Sequence, residues 1–171
     1  MIFRGSLIVL VLSLLTTSCG VYSFTGTTIT AETISIQNFY NDANQGPPNL
    51  SVRFTDHLRD YFQQNTSLVQ VTDEGELQME GAVSSYRLTP VAPTRSTSNS
   101  FGDSADLTRL TVTVSVTYVN LEDETFDFKK SFSHYVDFDN SVGLAALEDN
   151  LLEEIFDQIV LDIFNASVAN W

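Results

Sequence analysis

The chain has 171 residues, with 8 Lys plus Arg against 22 Asp plus Glu and a formal net charge of −14. That balance argues against nucleic acid as a partner and against a broad electrostatic hold on anionic lipid. With a single cysteine in the sequence, no intramolecular disulfide can support the fold.

Residues 1–18 have the layout of a bacterial secretory leader. Met1 and Arg4 make a short basic start, Leu7 to Leu15 is almost wholly apolar, and Thr16, Thr17 and Ser18 lead to Cys19. A cysteine placed there reads as a lipobox, although Thr16 stands where leucine is usual. An ordinary signal peptide with an incidental cysteine is the alternative, as is a short membrane anchor. The anchor fits poorly, because about 20 apolar residues are needed to cross the roughly 30 Å of hydrocarbon. Cys19 is therefore expected to carry a covalent diacylglycerol and a fatty acid, enough buried CH₂ for stable anchoring at about 0.8 kcal/mol each. No other cofactor is expected. Cleavage removes Arg4 and moves the formal net charge from −14 to −15.

Residues 19–28 form a lipidated tether that reaches only about 30 Å when fully extended. No Pro/Ser-rich stalk follows, so the domain, residues 29–171, is held close to the membrane. Thr33 to Phe39 reads as a strand, with Ile34 and Ile36 on one face and Thr33, Ser35 and Gln37 on the other. Asn49 is the expected N-cap of a helix whose stripe is Leu50, Phe54, Leu58 and Tyr61–Phe62. Leu68 to Val71 is a short strand, followed by a turn at Asp73-Glu74-Gly75. Leu77 to Leu88 is a longer strand whose inward parity switches, which predicts a bulge between Gly81 and Ser85.

Thr89 to Asp106 is rich in Ser, Thr, Pro and Asn and reads as a hairpin loop or as a contact segment that orders on a partner. Thr108 to Tyr118 alternates cleanly between apolar residues and Arg, Thr or Ser. After a turn at Glu122-Asp123-Glu124, Thr125 to Phe138 points Phe126, Phe128, Phe132, Val136 and Phe138 inward. Lys130 and His134 interrupt that inward face. The last element is a helix from about Leu144 to Asn170, with Leu147, Leu151, Ile155, Ile159 and Ile163 in its stripe. Glu148, Asp149, Glu153, Glu154, Asp157 and Asp162 are assigned to its outer face.

These elements predict an α/β (α+β) two-layer sandwich. A mixed, mostly antiparallel sheet of about four strands carries two helices on one face, and its other face is open and rich in Thr and Ser. No nucleophile elbow, phosphate-binding glycine loop or metal-ligand cluster is present in the sequence, so no enzymatic activity and no metal are expected. His57 and His134 have no motif neighbours. Asp137 and Asp139 read as a carboxylate pair or equally well as a strand end before a helix cap, and Glu122 to Glu124 fit a solvated turn better than a weak cation site.

Several stretches carry a resemblance: Tyr22-Ser-Phe-Thr-Gly26, Thr33-Ile-Ser-Ile-Gln-Asn-Phe39, Phe54-Thr-Asp-His-Leu-Arg-Asp60, Leu77-Gln-Met-Glu-Gly81, Arg109-Leu-Thr-Val-Thr-Val114 and Ile163-Phe-Asn-Ala-Ser-Val-Ala-Asn-Trp171. In this order the chain resembles the LptE family of lipopolysaccharide-assembly lipoproteins, in the form found in Bacteroides-like Gram-negatives. The resemblance implies two helices on one mixed sheet and a non-catalytic role. It further implies an outer-membrane protein that plugs the lipopolysaccharide-assembly β-barrel (LptD-type), helps that barrel assemble and receives lipopolysaccharide on its way outward.

If lipid A phosphates touch the chain, the available cations are Arg87, Arg95, Arg109, Lys129 and Lys130. The same five residues also fit scattered solubilising charges at strand ends. An accessory periplasmic lipoprotein that activates a cell-wall or envelope enzyme is the competing function, and the short tether weighs against it. A lone lipid carrier would need an apolar cavity, whereas the apolar positions are used up by one core.

Overall fold

A computed structural model describes residues 30–91, 107–141 and 143–169. The leader, Cys19 and the tether, along with Arg95 in the Ser/Thr-rich segment, lie outside the described residues. The elements run β1 (Thr33–Ile36), β2 (Tyr40–Asn41), α1 (Leu50–Asn65), β3 (Val69–Val71), β4 (Leu77–Pro90), β5 (Leu107–Asn120), a short 3₁₀ turn (Glu124–Phe126), β6 (Phe128–Asp139) and α2 (Leu144–Ser167).

The two helices pack on one mixed sheet, as expected, but the sheet has six strands where about four were expected. Its order is β3-β1-β4-β5-β6, with β2 also paired to β4. The count rises because the expected first strand divides at Gln37–Phe39. Gln37 still donates to the Met79 carbonyl at 2.9 Å, and Asp42 donates to Val83 at 3.0 Å, so β1 and β2 lie along the same edge of β4. Between them Phe39 leaves the ladder and becomes 4% exposed. Its backbone N–H finds Thr55 Oγ1 at 3.1 Å, and its ring meets Phe54 edge-on at 5.2 Å. The alternation already falters there, with polar Asn38 at the inward parity of Ile34 and Ile36 and Phe39 at the outward one.

β1 pairs in parallel with β3 on one side and with β4 on the other. The chain therefore passes from β3 to β4 across β1 in residues 72–76. A parallel crossover ordinarily takes a dozen or more residues. This short one lies directly on the backbone of β1. Ser35, assigned by parity to the face without helices, is only 1% exposed because the crossing covers it. An added Cβ on Gly75 would stand 2.5 Å from Ser35 N and 2.8 Å from the Ile34 carbonyl carbon. Glu76 fastens the crossing: its carboxylate accepts from the N–H groups of Glu32 and Thr33, and its own N–H donates to Thr33 Oγ1 at 3.0 Å.

The register of β4 against β5 shifts between Val83 and Ser85, within the span where the parity switch predicted a bulge. Tyr86 and Leu88 thereby return to the helix side, opposite Val112 and Leu110. Helix α1 begins where expected, but Asn49 makes no side-chain cap. Leu50, Phe54, Leu58 and Phe62 are fully buried, with Tyr61 half-buried.

Along α2 the stripe is buried from Leu151 to Ile163, while Leu144 and Leu147 are half-buried. The helices meet through Phe54 against Phe156 at 5.3 Å and Phe62 against Phe164 at 5.4 Å, both edge-on. Not every carboxylate assigned to the outer face of α2 is spare. Asp149 binds Arg53 and Asp157 binds His57 Nε2, both at 2.7 Å, while Glu148 accepts from the Tyr86 hydroxyl at 2.6 Å.

Candidate interaction face

With both helices on one side, the outward residues of β4, β5 and β6 form a continuous surface on the other. The β5–β6 register sets its rows: Thr117 opposite Lys129, Ser115 opposite Ser131, Thr113 opposite Ser133, Thr111 opposite Tyr135, and Arg109 opposite Asp137. The middle rows are joined by hydroxyl pairs, Ser115 to Ser131 at 3.1 Å and Thr113 to Ser133 at 3.0 Å. Such cross-strand pairs each contribute about 0.2–1 kcal/mol and hold the register. Short hydroxyl side chains leave the face low and hydrophilic, able to accept and donate hydrogen bonds without a pocket.

One end of this face is more elaborate. Arg109 makes a fork on Asp137, with Nε and Nη2 donating to the two carboxylate oxygens at 2.7 and 2.8 Å. Its guanidinium carbon also lies 3.7 Å from the centre of the Tyr135 ring. The hydrogen bonds from Arg109 hold the Asp137 carboxyl below the usual carboxylate range. Arg87 pairs with Thr111 on the neighbouring strand, which makes it the diagonal neighbour of Arg109, at about 7–8 Å between backbones. Sequence periodicity places each of these residues on a face but does not bring them together. The β5–β6 register does, and its only sequence signal is the position of the turn at Glu122–Glu124.

The structure divides the five candidate basic residues. Arg87 and Arg109 share one end of the open face, and Lys129 lies on the same face at the far end. Lys130 points to the helix side opposite Val116, with its ammonium 5.1 Å from the Phe132 ring centre. Arg95 falls outside the described residues. Arg109 is already neutralised by Asp137, so Arg87 and Lys129 are the less engaged cations of this face. Among the described residues there is no cluster of His, Cys, Asp and Glu able to hold a metal ion, and no helix long and apolar enough to cross a membrane. Tyr118 is 1% exposed, and burial pushes its hydroxyl up to about 12. Stacked on Phe128 at 5.2 Å, it serves the core.

These pairs predict the acid response. Asp137 is held low by Arg109, Glu76 by the N–H groups of Glu32 and Thr33, Asp123 by Thr125 and Asp139 by Ser141. A carboxylate with a lowered folded value contributes stability above its unfolded value, and that contribution is lost as pH falls through the folded value. The urea midpoint should therefore hold level from pH 7 to 5 and fall below about pH 4, near the ordinary carboxylate range. Arg109→Gln should make the acid limb shallower while changing the neutral midpoint little, since solvent screens an ion pair this exposed.

The sequence model of the lipopolysaccharide-assembly family, LptE, matches residues 31–167. None of the curated proteins matches the chain. Among solved structures, a minor lipoprotein from Acinetobacter baumannii is similar at 13% identity and a TM-score of 0.53, covering 83% of this chain and 96% of that one. A hypothetical protein of Chlamydia trachomatis is similar at 9% identity and a TM-score of 0.55, over 82% and 99% of the two chains. A Xanthomonas campestris protein is similar at 9% identity and a TM-score of 0.51, over 83% and 86%. At such identities the neighbours speak for the fold alone; the family rests on the match that spans nearly all the described residues. The chain belongs to the LptE family of lipopolysaccharide-assembly proteins.

Proposed function

We propose that this protein is an outer-membrane lipoprotein, anchored through acylated Cys19, that plugs a large lipopolysaccharide-translocating β-barrel of the LptD type and assists its assembly. The observation that carries the reading is the family match over residues 31–167. The short segment between Cys19 and β1 supports it, since a domain held within about 30 Å of its lipid stays within the height of a barrel embedded in the same membrane. The role is structural and non-catalytic. The open Thr/Ser face offers a barrel wall hydrogen-bonding groups already in register, and the exposed Glu153 and Glu154 of α2 suit a basic lumen.

Lipopolysaccharide contact would fall on Arg87 and Lys129, the less engaged cations of the open face, with Arg95, Arg109 and Lys130 as the remaining cations. Depletion of the protein should leave the barrel misassembled and lipopolysaccharide missing from the cell surface, read by surface labelling and by the heat-modifiable mobility of the barrel. Affinity capture of the acylated chain from detergent-solubilised membranes should recover that barrel. Recovery of a cell-wall synthase with no large barrel would sink this reading and leave the accessory-activator function in its place.

A further inference from the structure

The two edges of the sheet are unlike. At one, β3 has only three residues, too short to template another strand. At the other, β6 has twelve residues, Phe128–Asp139, and among the described residues its outer edge has no strand partner. A long exposed edge presents a row of backbone donors and acceptors that another strand can complete. Its side chains are polarised along its length. Lys129 and Lys130 stand at the start and Asp137 and Asp139 at the end, all four exposed.

That polarity selects direction and partner. A second β6 added parallel and in register would set lysine against lysine and aspartate against aspartate, whereas an antiparallel one sets each lysine end against an aspartate end. A two-fold axis normal to the sheet keeps open face against open face, because directly opposed residues then share parity. With the axis at Ser133, Lys129 faces Asp137 of the second copy, Ser131 faces Tyr135 and Ser133 faces itself. On the helix side of the same register, Phe128 faces Phe138 and Phe132 faces His134. These rows match opposite charges, aromatic rings or polar groups, while Lys130 faces Val136 and the end of the register sets Asp139 beside Asp127 of the second copy. The net charge of −14 acts over longer range and is largely screened beyond about 8 Å in physiological salt, whereas these rows are in contact.

We propose that β6 is a self-association edge, through which two copies of this chain join antiparallel into one continuous sheet with all four helices on one side and an unbroken Thr/Ser face on the other. Such pairing would satisfy and hide the edge in copies not engaged by another partner.

The test uses the full acylated chain purified in detergent. A Ser133→Cys variant should give a dimer-sized adduct with a short thiol-to-thiol linker, above the background of the unsubstituted chain. Val69→Cys, on the opposite edge and 60% exposed, should not. Adding Lys129→Glu to Ser133→Cys removes the lysine from both rows and sets a carboxylate beside the Arg109-held Asp137, and should lower the adduct severalfold. Circular dichroism confirms that each variant is folded. A folded Ser133→Cys chain that stays monomeric would overturn the proposal. Equal adducts at Val69 and Ser133, or a yield unmoved by Lys129→Glu, would also overturn it by showing chance collision. The same linker applied to intact membranes should give the same dimer; an adduct solely to a larger protein would replace the second copy with a heterologous strand.

Discussion

Gly75→Ala should destabilise the protein by about 3 kcal/mol or more, at the upper end of what overpacking costs. The crossing from β3 to β4 lies on the backbone of β1, and the added methyl would sit 2.5 Å from Ser35 N, 2.8 Å from the Ile34 carbonyl carbon and 2.9 Å from Leu77 O. All three obstacles are main-chain atoms of paired strands. No side chain can rotate away, so either the crossing lifts or β1 separates from β4. Lifting would also pull Glu76 from the N–H groups of Glu32 and Thr33 and uncover Ser35.

Gly143→Ala makes the comparison. That glycine has φ +79° and ψ 134° with open space around its Cβ direction, so its replacement meets only a backbone penalty of about 1–3 kcal/mol. Urea denaturation of the two variants beside the parent measures both effects. A Gly75→Ala loss no larger than that of Gly143→Ala would show that the crossing does not rest on β1 as described.

What periodicity encodes was legible from the residues alone. The stripes of both helices, the alternation of β5, the bulge in β4 and the half-buried β6 interrupted by Lys130 and His134 each follow from patterns of period 3.6 or 2. Contacts between residues far apart in sequence were not. The alternation fails at Asn38 and Phe39, but nothing local shows that Phe39 leaves the ladder to pack on Phe54. Gly75 reads as a turn glycine, and its real constraint is the strand beneath it. Ser35 reads as an outward residue and is covered by a crossing that nothing local announces.

The candidate site divides in the same way. That the outer sheet face is polar could be read from β5 alone. That Arg109, Tyr135 and Asp137 form one group depends on a register, and registers arise from pairing, which a single strand does not specify. The four of these cations among the described residues therefore separate in space, with Lys130 on the opposite side of the sheet from Arg109.

Replacing Cys19 is expected to have the largest functional effect, and two variants separate its causes. Cys19→Ser within the native leader removes the thiol that accepts diacylglycerol, so an unlipidated or uncleaved precursor should accumulate. Gel mobility, fatty-acid labelling and membrane fractionation detect it, and normal acylation of the variant would overturn the lipobox reading. The second variant exchanges the leader for one cleaved without lipidation, which delivers the same domain to the same compartment in soluble form.

In the proposed role the lipid acts by concentration. A short tether to a surface shared with the partner gives an effective concentration in the millimolar range, and its loss lowers apparent affinity by about 10²–10⁴-fold without removing any contact. The soluble domain at native abundance should therefore support barrel assembly poorly, and raising its expression should restore assembly by mass action. Full assembly at native abundance would make the lipid dispensable. Failure at every abundance would mean that the acyl chains touch the barrel themselves and do more than hold the domain within about 30 Å of the membrane.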